Sequence, residues 1–422
     1  MRRLLALLAA LWLAAPALAQ GQASPALERR IAELPRVMAG EIAYDAYFAP
    51  AFRASVPEAD FRRINAQLVA ANGPITKVEE VTPSGPHAAT VQLGFQRAIA
   101  DVHMVVDPAA PHLVTGLRIA AARSRDDSLQ KIAGDLAALP GRKALLVREI
   151  GRDAPPLLTI DDDRAGAIGS GFKLWVLAEA ARAVNAGEHR WSDVIALSPD
   201  ILSSPITGGW PAATPMTLQA AATAMIARSD NRATDTVMAA LDRARIDATA
   251  ARLGADPAGL PVLTTHEAFA LKADARLGER WRADRDPALR RALLAESAAQ
   301  IAKPVDPASF SGAPRAIDSI EWFASPAGSI RAIDWLRTEG GPQVRAILAV
   351  NPGVDPALAA RFAWAGYKGG SEPGVMAMTI AVETRAGRAF AVSGWWNDPA
   401  APVSELTFAT IVSRALALVP QD

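Results

Sequence analysis

The sequence predicts an α+β protein in which strands from two distant parts of the chain pair in one sheet beside an inserted helical lobe. Strand-like apolar patterns occur at residues 144–149 and 157–160, and again at 376–383 and 389–395 near the C-terminus. Most of the stretch between them has a helical pattern. Because early and late strands flank this stretch, we expect them to share one sheet.

A smaller α+β unit is predicted before this segment. Residues 42–122 contain a helical stretch and then four strand-like runs separated by turns rich in proline and glycine. We predict that they form an accessory domain and that the larger domain occupies residues 126–422. Residues 20–41 begin polar and alanine-rich, and we interpret them as a leader.

The N-terminus has the features of a secretory signal peptide. Two arginines precede an apolar stretch at residues 4–15, and a small-x-small cleavage site follows at 17–19. We predict that residues 1–19 are removed by cleavage near Ala19 and that the protein is periplasmic. An uncleaved anchor is the alternative, but the apolar stretch is short, since a span needs about 18 to 20 residues.

Composition argues against several classes of function. The 44 Lys and Arg balance 44 Asp and Glu, so no overall field favours nucleic acid or a membrane surface. No later segment is apolar enough for a stable membrane span, and there is no cysteine for a disulfide, a lipid or a metal. His87, His103, His112 and the acidic run at 161–163 lack a companion ligand cluster, so we expect no metal and no cofactor.

The strongest chemical pattern is a serine at the start of an apolar helix, with a lysine three residues later, in Ser170-Gly171-Phe172-Lys173. A serine hydroxyl needs an adjacent base to act as a nucleophile, and residues three apart share a helix face. The apolar residues that follow predict burial, which lowers the pKa of a lysine by desolvation. We expect Ser170 to be the nucleophile and Lys173 its base.

Two observations bear on this choice. A second copy of the pattern, Ser128 to Lys131, lies in an amphipathic helix among charged residues, and we interpret it as a solvated face. Only 7 of the 44 basic residues are lysines. Because lysine can lose its proton and arginine cannot, we expect Lys173 and Lys368 to take part in proton transfer or charge recognition. The alternative is that they are scattered lysines with no chemical role.

Two further polar patterns lie downstream. Ser229-Asp230-Asn231 separates two predicted helices, and by itself it would be a turn that caps the second helix. Residues 367–370, Tyr-Lys-Gly-Gly, come just before a strand pattern, and by themselves would be a glycine turn with a surface lysine.

In this order, the three patterns resemble the signature motifs of class A β-lactamases and penicillin-binding proteins. The resemblance covers about residues 143–418 and implies the β-lactamase/transpeptidase-like fold, an antiparallel sheet with a helical lobe. It also implies an acyl-enzyme at Ser170, with Lys173 as its base. Ser229 would pass a proton to the leaving group, and Lys368 would attract the substrate carboxylate.

The resemblance also implies a substrate-binding set. Asn231 would hold Lys173 and bind a substrate amide, and Gly370 and Ser371 would lie against the substrate. The backbone N–H groups of Ser170 and Ser371 would form the oxyanion hole.

The sequence departs from the family's pattern at two places. Position 369 is glycine where the family has threonine or serine, so a hydroxyl that contacts the substrate carboxylate is absent, although Ser371 could partly replace it. No glutamate lies between Asn231 and Glu267 to activate the deacylating water. We interpret Glu267 as a first-turn carboxylate, with Asp256 as a weak alternative base, and expect intact acylation with weak deacylation.

The sequence therefore predicts an exported serine hydrolase that opens β-lactams. The alternatives are an esterase or D-amino-acid peptidase on the same scaffold, and a protein that binds β-lactams or cell-wall peptides without hydrolysis. Each implies a small-molecule partner: a β-lactam, an ester or a cell-wall peptide. The accessory unit weakly resembles steroid-isomerase and nuclear-transport-factor folds. The aromatic cluster at 321–323 is expected to fill a core, or alternatively to contact substrate.

Overall fold

The computed structural model describes residues 22–310 and 312–422, so the predicted signal peptide lies outside the described residues. The chain divides into two compact units between residues 126 and 127. Within the described ranges, no helix combines the length and apolar character that a membrane crossing requires.

The N-terminal unit consists of short helices followed by an antiparallel meander of four strands in the order β1-β2-β3-β4. Its helices are α1 (Pro25–Met38), α2 (Tyr44–Tyr47), α3 (Pro50–Ser55) and α4 (Glu58–Asn72). Its strands are β1 (Ile75–Gly85), β2 (Ala88–Phe95), β3 (Ala98–Val106) and β4 (Val114–Ser124). Its relationship to steroid-isomerase folds stays a prediction.

Most of the predicted leader is instead the first helix of this unit. Ser24 caps α1 by accepting a hydrogen bond from the N–H of Leu27 at 3.2 Å. Leu27, Ile31 and Leu34 are buried in the same core as the meander. Their spacing of four and three residues is helical, but the charged residues between them obscured it in the sequence.

The larger unit contains one five-stranded antiparallel sheet in the order β11-β12-β13-β5-β6, with two short strand pairs beside it. Its strands are β5 (Arg142–Ile150), β6 (Leu158–Ile160), β7 (Gly166–Ala167), β8 (Val194–Ala196), β9 (Pro215–Thr217), β10 (Phe323–Ala324), β11 (Trp364–Glu372), β12 (Val375–Glu383) and β13 (Ala389–Asn397). Because β5 pairs with β13, the prediction that early and late strands share a sheet is confirmed.

Helices cover both faces of this sheet. They are α5 (Leu129–Ala137), α6 (Lys173–Asn185), α7 (Leu218–Ala227), α8 (Asn231–Ala240), α9 (Arg243–Arg252), α10 (Thr265–Ala273), α11 (Ala275–Ala283), α12 (Pro287–Glu296), α13 (Ala298–Ile301), α14 (Pro326–Glu339), α15 (Gly341–Ala349), α16 (Pro356–Ala359) and α17 (Glu405–Ala417). In the part of the chain that the structure describes, 3₁₀ turns occur at Gly169–Phe172, Pro257–Gly259 and Pro307–Phe310.

Alternation along β5 separates two cores. Leu145 and Val147 pack with α5 and α17 on one face, whereas Ala144 and Leu146 face the helical lobe that contains α6 and α14. Helix α6 is buried on nearly all sides. A helix that is apolar all round must lie inside the protein, and this position fixes the 3₁₀ turn at its N-terminal end.

Candidate active site

Ser170 lies in the 3₁₀ turn that leads into α6, one turn before the α-helix begins. A backbone hydrogen bond holds the turn in place, because the N–H of Ile168, which directly precedes it, donates to the carbonyl oxygen of Trp322 at 2.9 Å. The Phe172 and Trp322 rings are stacked, with centroids 4.0 Å apart. Ser170 itself is half-buried and lines the cleft described below.

The Lys173 amine is fully buried and is held by the turn at residues 229–231. Its Nζ donates to the Ser229 carbonyl and to Asn231 Oδ1, both at 2.7 Å, and contacts Ser229 Oγ at 3.3 Å. Burial lowers the pKa of Lys173 well below its usual value, and the nearby charge of Lys368 lowers it further. A lysine amine with a lowered pKa is more easily deprotonated and can then accept a proton, but here the amine contacts Ser229 and Asn231 rather than Ser170.

The turn at residues 229–231 caps the helix that follows it and also contacts the amines of Lys173 and Lys368. Asp230 caps α8 by accepting from the N–H of Ala233 at 2.8 Å. The same buried carboxylate accepts from the N–H groups of Ile206 and Thr207 at 2.9 and 2.8 Å, which ties the 204–207 segment to the turn. Ser229 has φ 56°, a left-handed conformation that costs a non-glycine residue about 1–3 kcal/mol. This strained backbone presents the Ser229 hydroxyl between two amines.

The second of these amines is that of Lys368. The motif at residues 367–370 lies within β11 rather than before a strand or in a turn, and Lys368 is buried. Its Nζ donates to Ser229 Oγ at 3.0 Å and also contacts the Gly369 carbonyl. Burial lowers the pKa of Lys368 to about 7. Ser229 Oγ therefore links the amines of Lys173 and Lys368.

Strand β11 approaches the 3₁₀ turn so closely that only glycine fits at position 370. A Cβ on Gly370 would overlap the Ile168 carbonyl oxygen and the Ser170 nitrogen. A Cβ on Gly169, which has φ 47°, would lie 3.3 Å from the Ser371 nitrogen. The two glycines thus bring together the backbones that carry the Ser170 and Ser371 N–H groups, as an oxyanion hole requires.

These groups surround a cleft of about 910 Å³. Among the predicted site residues, the cleft is lined by Ser170, Ser229, Asn231, Lys368, Gly370 and Ser371. Lys173 does not line it and is buried behind Ser229 and Asn231. More of the cleft wall is supplied by the segment 202–205 and by the aromatic residues Phe269, Phe310, Trp322 and Tyr367. Trp322 is therefore both a core residue and a wall residue.

A buried ion cluster in the same wall was not predicted. Lys272 Nζ lies 2.7 Å from Glu321 Oε1 and 2.5 Å from Glu372 Oε1, and both carboxylates line the cleft. Burial raises the pKa of Glu372 well above its usual range, and the charge of Glu321 raises it further. The one signal in the sequence was that Lys272 is another of the few lysines.

The alternatives considered from the sequence have structural roles. Glu267 forms a capping box with Thr264 and an ion pair with Arg243 at 3.0 Å, so its interpretation as a first-turn carboxylate is confirmed. Asp256 caps the short turn that follows it. Ser128 is exposed and caps α5 by accepting from the N–H of Lys131 at 3.1 Å.

Comparisons with known proteins found similarity to parts of this chain. A family model described as the β-lactamase enzyme family matches residues 125–279, which contain the first two motifs. No curated protein matches the chain. Solved structures with similarity include a β-lactamase from Sphaerobacter thermophilus, with 18% identity, TM-score 0.48, and coverage of 70% of this chain and 100% of that one. Another, from Desulfarculus baarsii, has 18% identity, TM-score 0.46 and coverage of 69% and 97%.

The larger unit thus has the β-lactamase fold, with its antiparallel sheet and helical lobe. At the level of the family, the match supports a serine hydrolase of the β-lactamase type.

Proposed function

We propose that this protein is a serine hydrolase that opens β-lactams by forming an acyl-enzyme at Ser170 and that it deacylates slowly. The observation that carries the proposal is the linked set of Lys173, Ser229 and Lys368 beside the Ser170 turn. Three parts of the chain that are remote in sequence bring these groups together, with Ser229 and Lys368 lining the cleft and Lys173 buried directly behind Ser229. We also propose, from the N-terminal sequence, that the protein acts in the periplasm.

The positions of these groups support the following course of acylation. Neutral Lys173 accepts the Ser170 proton as Oγ attacks the lactam carbonyl, after its amine turns from Asn231 toward Ser170. The N–H groups of Ser170 and Ser371 stabilise the oxyanion, where one donor contributes about a hundred- to a thousandfold in rate. As the C–N bond breaks, the Ser229 hydroxyl donates its proton to the leaving nitrogen and is reprotonated by a neighbouring amine.

Deacylation lacks the loop glutamate that serves as the base in class A β-lactamases. Water attack on the acyl-enzyme requires a group that accepts the water proton. Glu267 is committed to its capping box and to Arg243. Among the carboxylates that line the cleft, Glu321 and Glu372 are paired with Lys272, and Glu405 lies exposed in the first turn of α17. We therefore expect turnover well below that of an efficient enzyme.

Lys368 gives the proposal a pH signature. Its amine, with a pKa of about 7, is protonated and attracts an anionic substrate below that pH, and loses this attraction as the pH rises through it. We expect the acylation-rate ratio between a cephalosporin free acid and its methyl ester to fall from about pH 6 to about pH 9. Quenched-flow mixing followed by mass spectrometry measures both rates. A constant or rising ratio would contradict the role of Lys368 in attracting the substrate carboxylate.

Intact-mass measurement after mixing with a cephalosporin tests the function itself. We expect an adduct that forms quickly and disappears slowly, with product released well below about 10 per second. A lasting adduct without product would indicate a binding protein, and faster turnover of a simple ester than of the lactam would favour an esterase. Absence of both adduct and product, for lactams and esters alike, would overturn the proposal.

A further inference from the structure

Tyr367 occupies the space that a side chain at position 369 would need. A Cβ on Gly369 would overlap the Tyr367 hydroxyl oxygen and lie 2.8 Å from its Cζ. On another side, a Cβ on Gly353 would overlap the tyrosine ring. The absence of side chains at Gly353 and Gly369, which belong to separate segments, therefore leaves room for the Tyr367 ring. Position 369 is glycine because of this ring and not because its backbone conformation requires glycine.

The hydroxyl of this tyrosine is available to a ligand. Tyr367 lines the same cleft as Ser170 and Lys368. Within the described part of the chain, no hydrogen bond engages its hydroxyl. Burial raises the pKa of Tyr367 to about 12, and the negative charge of Glu405, which lines the same cleft, contributes to the increase. The phenol therefore keeps its proton and acts as a donor at physiological pH.

Lys368, which directly follows Tyr367 in the sequence, brings its amine close to Gly369. It contacts the Gly369 carbonyl and Ser229 Oγ, so the phenol and the amine flank the same glycine. A neutral O–H donor beside a cation is suited to a carboxylate, because a hydrogen bond to a charged acceptor is stronger than one between neutral groups.

We propose that Tyr367 determines substrate specificity by donating a hydrogen bond to the carboxylate of the substrate that Ser170 attacks. This rests on the proposed acylation at Ser170. The phenol takes the place of the side chain that Gly369 lacks. Ser371, the replacement expected from the sequence, has an exposed side chain and is the competing donor.

Tyr367→Phe tests the proposal, because it removes the donor and keeps the ring between the two glycines. Acylation rate constants are measured for a cephalosporin free acid and for its methyl ester. We expect the variant to lose about tenfold or more on the acid and less than about twofold on the ester, since only the acid supplies a charged acceptor. Equal losses on both substrates, or no loss, would overturn the proposal.

Two more variants separate the possible donors. If Ser371→Ala abolishes the preference for the acid and Tyr367→Phe does not, Ser371 is the donor and the proposal is wrong. In a Tyr367→Ala background, adding Gly369→Ser places a hydroxyl in the vacated space, and we expect a several-fold recovery of the preference. No recovery in a variant with wild-type thermal unfolding would count against the proposal. Wild-type protein that acylates with neither substrate would instead refute the proposed function.

Discussion

Ser170→Ala is expected to abolish covalent labelling by a penicillin probe, with a loss of acylation rate on the order of a millionfold. The reason is that, in the proposed mechanism, the Ser170 hydroxyl oxygen is the atom that bonds to the acyl group, and alanine has no such oxygen. Labelling is measured by intact mass at fixed probe concentration, and the labelled peptide is identified after digestion.

Ser128→Ala is the matched control, because it changes the other serine that precedes a lysine by three residues. Ser128 is exposed and caps α5, so we expect unchanged labelling and a stability cost of about 1 kcal/mol. If Ser128→Ala removed the label and Ser170→Ala did not, the wrong serine would have been chosen.

Lys272→Met is expected to destabilise the larger unit by about 3–5 kcal/mol. The side chains of Lys272 and Glu321 are each 1% exposed. Methionine has nearly the same length but no charge, so the change leaves the carboxylates of Glu321 and Glu372 buried without their cation. Chemical denaturation followed by tryptophan fluorescence measures the free energy of unfolding.

Lys131→Met is the control, since Lys131 is exposed on α5, and its effect should stay within about 0.5 kcal/mol. The pH dependence gives a second check. Lys272 lowers the pKa of Glu372, so its removal lets that pKa rise further above the usual value. The folded variant then binds more protons than the unfolded chain and is relatively stabilised as the pH falls. The deficit should therefore be smaller near pH 5 than near pH 8, and equal deficits would contradict this explanation.

The parts of the fold that the sequence predicted depend on local patterns. Strands such as β5 and β13 contain β-branched and apolar runs bounded by turns, and pairing of early with late strands followed from their order. Helix α1 was mistaken for a leader because its apolar positions are few and are separated by charges. The glycines at 369 and 370 resembled a turn, although they lie within β11, where Gly369 leaves room for Tyr367 and Gly370 for the 3₁₀ turn that carries Ser170.

The features of the site that could be predicted from the sequence also depend on local patterns. Ser170 and Lys173 are three residues apart, so one helix turn makes the pair visible. The ion cluster was missed because Lys272, Glu321 and Glu372 are far apart in sequence and share no spacing rule. The relation between Tyr367 and Gly369 depends on where one ring lies, which residue order alone does not determine.

The order of strands in the sheet has a consequence for biosynthesis. Strand β5 and the Ser170 turn are made early, whereas β11 to β13, which supply Lys368 and three of the five sheet strands, are made last. A nascent polypeptide that ends before residue 364 contains Ser170 but lacks Lys368 and three strands of the sheet. Under the proposed function, reaction at Ser170 should therefore require a nearly complete chain, because the strand pairing that completes the site connects residues far apart in sequence.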